Sequence, residues 1–438
     1  MFGKKKDAAS ANEGWPELKA GAWSAAASPH LYGSRPVRSY IIEVTLASEV
    51  QEKPLQEALD KVVERAPYYA QTFVCIDGLY YDAQNEKPMR VAHKKGFRQL
   101  GTEETLWHMM DITYDENVIY FAAAHALADG EAFTWFVESV LYYYFCAKDA
   151  TTYSSEGIMT LDTPSAEDEL LDVFAVKRKS HLLSMLGILI NHNAVLPECE
   201  GEYGNERWRY PLQIPTDELL AWTKAHKTSP APALAGMIAK VIVRENPGLK
   251  GKLNVCVQMT LRKLLGASHT LKNCIGVAYL PFDKQACADT PVGELASQAR
   301  TALKEQICTE YAEKMAGMQG FAFRTGKRIP LQGARNMLMG LLELSPFDTV
   351  SVDYAGRPRM GEYADQVEAV SYYFSEVFKG TLYLIMSECA GKFLINFVQT
   401  FKTDRYYQGF LRVLDEEGIS YTTLPAVTYL SPEVVQQH

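Results

Sequence analysis

From residue 40 onward, short apolar runs alternate with amphipathic stretches. Tyr40–Leu46 (YIIEVTL) is rich in β-branched and aromatic residues and reads as a strand. After Pro54, apolar residues recur at Leu55, Ala58, Leu59, Val62 and Val63, the spacing of one helix face, and Pro67 closes that helix. Short β runs are expected at Ala70–Cys75 and Gly78–Tyr81. Leu106–Ile112 and Val118–Ala124 predict a hairpin around a Tyr-Asp-Glu-Asn turn. Its second arm, VIYFAAA, is apolar on both faces, which places it centrally in a sheet. That arm runs into His125, Asp129 and Gly130, then into a helix from about Glu131 to Cys146. The aromatic run Tyr142–Phe145 in this helix belongs to the core.

Residues 148–168 lack periodicity and are rich in Ser, Thr and acidic residues, which marks a boundary. The chain therefore divides into a disordered tail (1–15), a first unit (16–150), a connecting segment (151–204) and a second unit (205–438). The connecting segment is expected to be helical over 169–195. In the second unit, strands are expected at Arg207–Ile214, Leu253–Met259, Asn273–Leu280, Thr349–Tyr354, Val367–Phe374, Thr381–Ser387 and Phe393–Gln399. Helices are expected from Thr216, over Pro230–Val243, up to Ile307 from Pro291, and over Asp404–Glu416. Each unit mixes strands with helices, so the fold class is α/β in the broad sense, an α+β architecture.

Composition narrows the chemistry only a little. The 438 residues carry 44 basic and 53 acidic side chains, a net charge of −9 with no basic block, which disfavours a nucleic-acid partner. Eight cysteines occur without any CxxC pair, so neither a zinc site nor a disulfide framework is expected. The N-terminus has no apolar signal core, and the longest central apolar stretch, Leu182–Ile190, is too short to span a bilayer. A cytoplasmic monomer without a metal or resident cofactor is the expectation.

No GxSxG elbow, P-loop, GxGxxG or HExxH is present. One constellation stands out, His125-Ala126-Leu127-Ala128-Asp129-Gly130. An imidazole where a central strand leaves its sheet, with an unperturbed pKa of about 6.5, suits a general base at neutral pH. The plainer alternatives are an ordinary partly buried histidine and an Asp129 that only caps the next helix.

HALADG, entered from an apolar strand and followed by an aromatic helix, resembles the HxxxDG motif of the chloramphenicol-acetyltransferase-like acyltransferase superfamily. That superfamily includes condensation domains of peptide synthetases, plant acyl-CoA-dependent acyltransferases and alcohol acetyltransferases. LQEALDKVVERAPYYAQTF resembles the family's first helix and following strand. QMTLRKLLG is similar to its strand ending in Asp-Leu-Arg, NCIGVAYLPF to its Asn-x-x-Gly strand, and VSVDYAGRP to the segment holding DFGWG. Three positions depart from the pattern. Ala124 stands where condensation domains carry a first histidine, Thr260 replaces the Asp of Asp-Leu-Arg, and Asp353–Arg357 lacks the DFGWG tryptophan.

The resemblance implies two acetyltransferase-like subdomains in a V around a central channel, with His125 at its centre as general base. It implies an acyl thioester donor, acyl-CoA or a group on an acyl carrier protein, and an alcohol or amine acceptor. It further implies that Arg262 pairs with Asp129 beside Gly130, and that Asn273, Gly276, Tyr354 and Gly356 line the channel or support the oxyanion. Asp353 is expected to be chiefly structural, and Tyr372, Tyr373 and Ser375 to lie on a solvated strand face. With no carrier or adenylation segment attached, a freestanding enzyme is expected. A condensation-type enzyme or a catalytically silent binding protein of the same fold are the alternatives.

Overall fold

A computed structural model describes residues 18–27, 39–76, 79–179, 193–199, 206–329, 349–375 and 382–430. The expected tail at 1–15 and the larger part of the expected 169–195 helix lie outside the described residues.

The first half builds β1 (Ala20–Trp23), β2 (Ser39–Leu46), α1 (Glu52–Arg65), β3 (Gln71–Ile76), β4 (Leu79–Gln84), β5 (Ala92–His93), β6 (Met110–Asp115), β7 (Val118–Ala124) and α2 (Gly130–Lys148). The second builds β8 (Glu206–Pro215), α3 (Thr216–Ala225), α4 (Pro230–Glu245), β9 (Leu253–Thr260), β10 (Ile275–Phe282), α5 (Lys284–Asp289), α6 (Val292–Gln306) and α7 (Thr309–Arg328). It continues with β11 (Val350–Gly356), β12 (Val367–Phe374), β13 (Leu382–Cys389), β14 (Lys392–Gln399), α8 (Arg405–Glu416), β15 (Thr422–Thr423) and β16 (Val427–Leu430).

Two larger sheets organise these elements, with a small one of order β1-β4-β3 beside them. One has the order β12-β2-β7-β6-β5, the other β10-β9-β11-β13-β14-β8-β15 with β16 also on β8. Both are mixed: β5 runs parallel to β6, and β11 runs parallel to β9 and β13, while the remaining pairs are antiparallel. Each packs against its own helices to form a separate apolar core, the first including Ile41, Leu59, Phe121 and Phe136, the second Ile238, Val255, Leu384 and Phe410. β7 is flanked by β2 and β6, as its two apolar faces require.

The halves of the sequence are not the halves of the molecule. β12 lies well inside the second half of the chain but completes the first sheet, pairing Tyr372 with Ile42 and Phe374 with Tyr40. The second sheet holds it in place: Asn396 Nδ2 donates to the Tyr372 carbonyl at 3.0 Å, and Ser387 Oγ to the Val370 carbonyl at 2.6 Å. Tyr372, Tyr373 and Ser375 are accordingly buried, not on a solvated face, because this strand is covered from both sides.

Other sequence expectations also change. Leu106–Met109 is not part of β6, since Leu106 and Trp107 take φ of 51° and 69°, which no strand accommodates. Glu169–Lys179 forms turns instead of a helix. Asn273 and Cys274 precede β10 because their polar groups are used elsewhere: Asn273 Oδ1 accepts from the Ile275 N–H, and the Cys274 N–H is committed to Asp129.

The sequence reading also passed over α7, whose three glycines lower helix propensity. Two of them admit a neighbouring backbone. A Cβ at Gly317 would stand 2.6 Å from the Lys179 carbonyl oxygen, and one at Gly320 2.4 Å from that of Phe174. The 174–179 strap thus lies directly on the helix. Gly320→Ala separates the two effects. Alanine favours the free helix by about 1 kcal/mol, yet the melting temperature is expected to fall and proteolysis at the strap to rise. A higher melting temperature would mean that the strap does not pack there.

Candidate functional site

β7 ends at Ala124, and the chain turns through 125–127 before α2 begins at Gly130. This loop carries His125 outward and Asp129 inward. Asp129 is the N-cap of α2: its backbone is extended and its Oδ1 accepts from the Ala132 N–H at 3.0 Å. The capping alternative is therefore satisfied, but capping is only part of what this carboxylate does.

Arg262 reaches it from the other half. Nη1 donates to Asp129 Oδ2 at 2.8 Å and Nη2 to Oδ1 at 2.9 Å, a two-pronged pair whose members are 1% and 0% exposed. Oδ2 also accepts from the Cys274 N–H at 2.7 Å. The remaining guanidinium donors go to the Thr270 and Lys272 carbonyls, and Glu131 Oε2 lies 3.3 Å from Nη1. The Thr260 hydroxyl stands 3.4 Å from Nη1. Burial pushes the Asp129 carboxyl up. The adjacent Arg262 charge and the N–H groups of Ala132 and Cys274 outweigh burial and hold it below the usual carboxylate range. Arg262, despite its own burial, is held above its ordinary value by Asp129 and Glu131.

Further contacts fix the same loop. Tyr68 donates to the Leu127 carbonyl at 2.6 Å, and Tyr69 to that of Ala132 at 2.8 Å. Trp135 stacks beneath the Arg262 guanidinium at 5.1 Å. Lys272, ten residues past Arg262, forms a second buried bridge between the halves, 2.6 Å from Asp82.

His125 is partly exposed at this junction. Asn273 Nδ2 stands 3.4 Å from its Nδ1, held in that orientation by the Asn273 Oδ1 bond to Ile275. The imidazole meets the Tyr40 ring edge-on at a centroid distance of 6.4 Å and lies nearly parallel to Phe374 at 6.3 Å. Tyr40 rests against Gly130, where a Cβ would approach its ring to 3.2 Å. Its hydroxyl donates to Asp353 Oδ2 at 3.2 Å. Burial raises the Asp353 carboxyl to about 6, against the opposing hydrogen bond from Tyr40 and with the Asp129 charge adding to the rise.

The structure brings together His125, Asp129, Gly130, Arg262 and Asn273. Gly276 stands apart, opposite Met259 in β10, where a Cβ would come within 2.7 Å of the Leu261 side chain; it is a packing position. Tyr354 faces the second core, with its hydroxyl 3.4 Å from Glu388 and its ring near Phe393. Gly356 ends β11 with φ of 82°, a turn conformation. Tyr40, Phe374, Lys272 and Asp82 carry no local signal that places them here. Among the described residues no group of three or more His, Cys, Asp or Glu could hold a metal ion, and no helix is long and apolar enough to cross a membrane.

Removing either member of the Asp129–Arg262 pair strands the other in the interior, which costs ~3–5 kcal/mol. Asp129→Ala and Arg262→Ala are each expected to lower the unfolding free energy by that amount, and the double variant to be no worse than either single. Additive losses in denaturant titrations would show that the two residues act separately.

No protein-family model matches this chain, and no curated protein sequence matches it. Solved structures do. Polyketide synthase associated protein 5 from Mycobacterium tuberculosis is 12% identical with a TM-score of 0.64, covering 91% of this chain and 98% of that one. The trichothecene 15-O-acetyltransferase TRI3 from Fusarium sporotrichioides is 11% identical with a TM-score of 0.60, over 91% and 94%. The X-domain from teicoplanin biosynthesis is 13% identical with a TM-score of 0.54, over 91% and 94%. The mixed sheets, the separate cores and this likeness along nine-tenths of the chain give the protein the two-subdomain fold common to these acetyltransferase and condensation-type structures.

Proposed function

We propose that this protein is an acyltransferase that moves an acyl group from a thioester, acyl-CoA in the first instance, to the hydroxyl or amine of a small acceptor. The observation that carries this reading is the placement of His125. It is a partly exposed imidazole at the junction of the halves, on a loop locked from both sides by the Asp129–Arg262 pair. Similar structures support the same class of chemistry: one is a trichothecene acetyltransferase, and another, TRI101, was solved with coenzyme A and T-2.

In this mechanism the imidazole takes the proton of the acceptor O–H or N–H as that atom attacks the thioester carbonyl carbon. The C–S bond breaks as the tetrahedral intermediate collapses, and the thiolate takes the proton back from the imidazolium. The products are an ester or amide and a free thiol. Holding both substrates against one base supplies much of the acceleration. No protein nucleophile is needed. The nearest cysteine to the loop in this network, Cys274, is fully buried, and burial pushes its thiol up to about 12, so no thiolate is available near neutral pH.

Release of coenzyme A thiol from acetyl-CoA against a panel of alcohols and amines tests the reading. His125→Ala is expected to lower the rate ~100- to 10,000-fold with an unchanged melting temperature. Wild-type rates in that variant would remove the imidazole from the mechanism. Incubated with acetyl-CoA alone, the protein is expected to keep its unmodified mass, and an acetyl adduct on Cys274 would replace direct transfer with a two-step route.

A further inference from the structure

Asp353 differs from three other carboxylates that join the two halves. Asp129 has Arg262, Asp82 has Lys272, and Glu43 has Arg209. Asp353 has the Tyr40 hydroxyl and the Tyr354 backbone N–H, and among the described residues no lysine or arginine forms an ion pair with it. Asp353 also keeps part of its surface exposed. A carboxylate left in such a place without a counter-ion is costly, and that cost falls when a cation arrives.

The surroundings suit a cation in a second way. Tyr40, whose hydroxyl holds Asp353, meets Phe374 edge to face at 4.8 Å and Tyr372 at 6.0 Å, and Phe374 meets Tyr383 at 5.2 Å. Aromatic rings attract ammonium groups through their π faces. The same Tyr40 ring borders His125. Tyr40 therefore links the imidazole to the carboxylate, and the aromatic cluster surrounds the link.

We propose that Asp353 and the partly exposed Phe374 ring, held together by Tyr40, form an acceptor subsite for a cationic nitrogen, so that the preferred acceptor carries an ammonium group separate from the hydroxyl or amine presented to His125. Asp353 is then a specificity-determining residue. This rests on the acyl-transfer reading for the role of His125, but binding of the cation does not depend on turnover.

The test compares two nearly isosteric alcohols, 3-dimethylaminopropan-1-ol, which is protonated at neutral pH and can be acylated only on oxygen, and 4-methylpentan-1-ol. With acetyl-CoA as donor, kcat/KM is expected to favour the cationic alcohol by about tenfold or more, mainly through KM. That preference is expected to shrink to near parity in Asp353→Asn. Calorimetry on His125→Ala, where turnover is removed, is expected to show binding of the cationic alcohol over the neutral one, lost when Asp353→Asn is added. Equal binding of the two alcohols by His125→Ala, a wild-type preference for the neutral one, or an unchanged preference in Asp353→Asn would overturn the subsite. A wild type that binds the cationic alcohol selectively but acylates neither would support the subsite and overturn the acyl-transfer reading alone.

Discussion

The pairing of Asp129 with Arg262 is the interaction on which the rest of the site depends. A single carboxylate caps α2, accepts the Cys274 N–H and receives both prongs of a guanidinium from the other half. Two charges taken out of water gain stability only when the geometry is good and the leftover donors and acceptors are satisfied. Here the arginine's remaining N–H groups find the Thr270 and Lys272 carbonyls. The pair therefore fixes three backbone segments against one another: the His125 loop, the start of α2 and the Arg262–Cys274 connection. The loop that carries His125 is held by this frame.

A second constraint works through the backbone. β12 is hydrogen-bonded into the first sheet but covered and clasped by the second. Arg209 repeats the arrangement with side chains: it stands 3.2 Å from Glu43 of β2, 3.2 Å from the Ser371 hydroxyl, and over the Tyr373 ring. The 148–168 segment, expected as a boundary, is likewise tied down. Leu161 N–H donates to the Tyr143 hydroxyl, and Asp168 holds His269 of the second half. With strand, strap and ion pairs all crossing between the cores, the two halves share one set of restraints around His125.

Charge is handled unevenly across this junction. Asp129 and Asp82 are neutralised by buried cations, whereas Asp353 is held by a phenol and a backbone N–H, and burial raises its carboxyl to about 6. Departures from full pairing of this kind concentrate where a protein meets its ligand. At 11–13% identity the similar structures retain the architecture, because sheet patterning and apolar volume tolerate many residues.

The sequence by itself determined the elements whose signals are local. Period-2 and period-3.6 patterning located β2, α1, β7, α2 and β11 to β14 to within a few residues, and the His125–Gly130 spacing marked the loop between a central strand and a capped helix. Arg262 was legible as a partner for Asp129 only through the family resemblance, since 133 residues separate them and neither carries a local sign of the other. Tertiary structure decided the rest, in each case because the cause lay far along the chain. α7 tolerates two of its three glycines because a strap lies on them, Asn273 and Cys274 stay outside β10 because their polar groups are claimed elsewhere, and β12 joins the sheet of the opposite half. Tyr40 looked like any strand residue, and only the fold sets its ring against His125 and its hydroxyl on Asp353. Periodicity reports which face of an element is apolar; it carries no information about which distant side chain that face will meet.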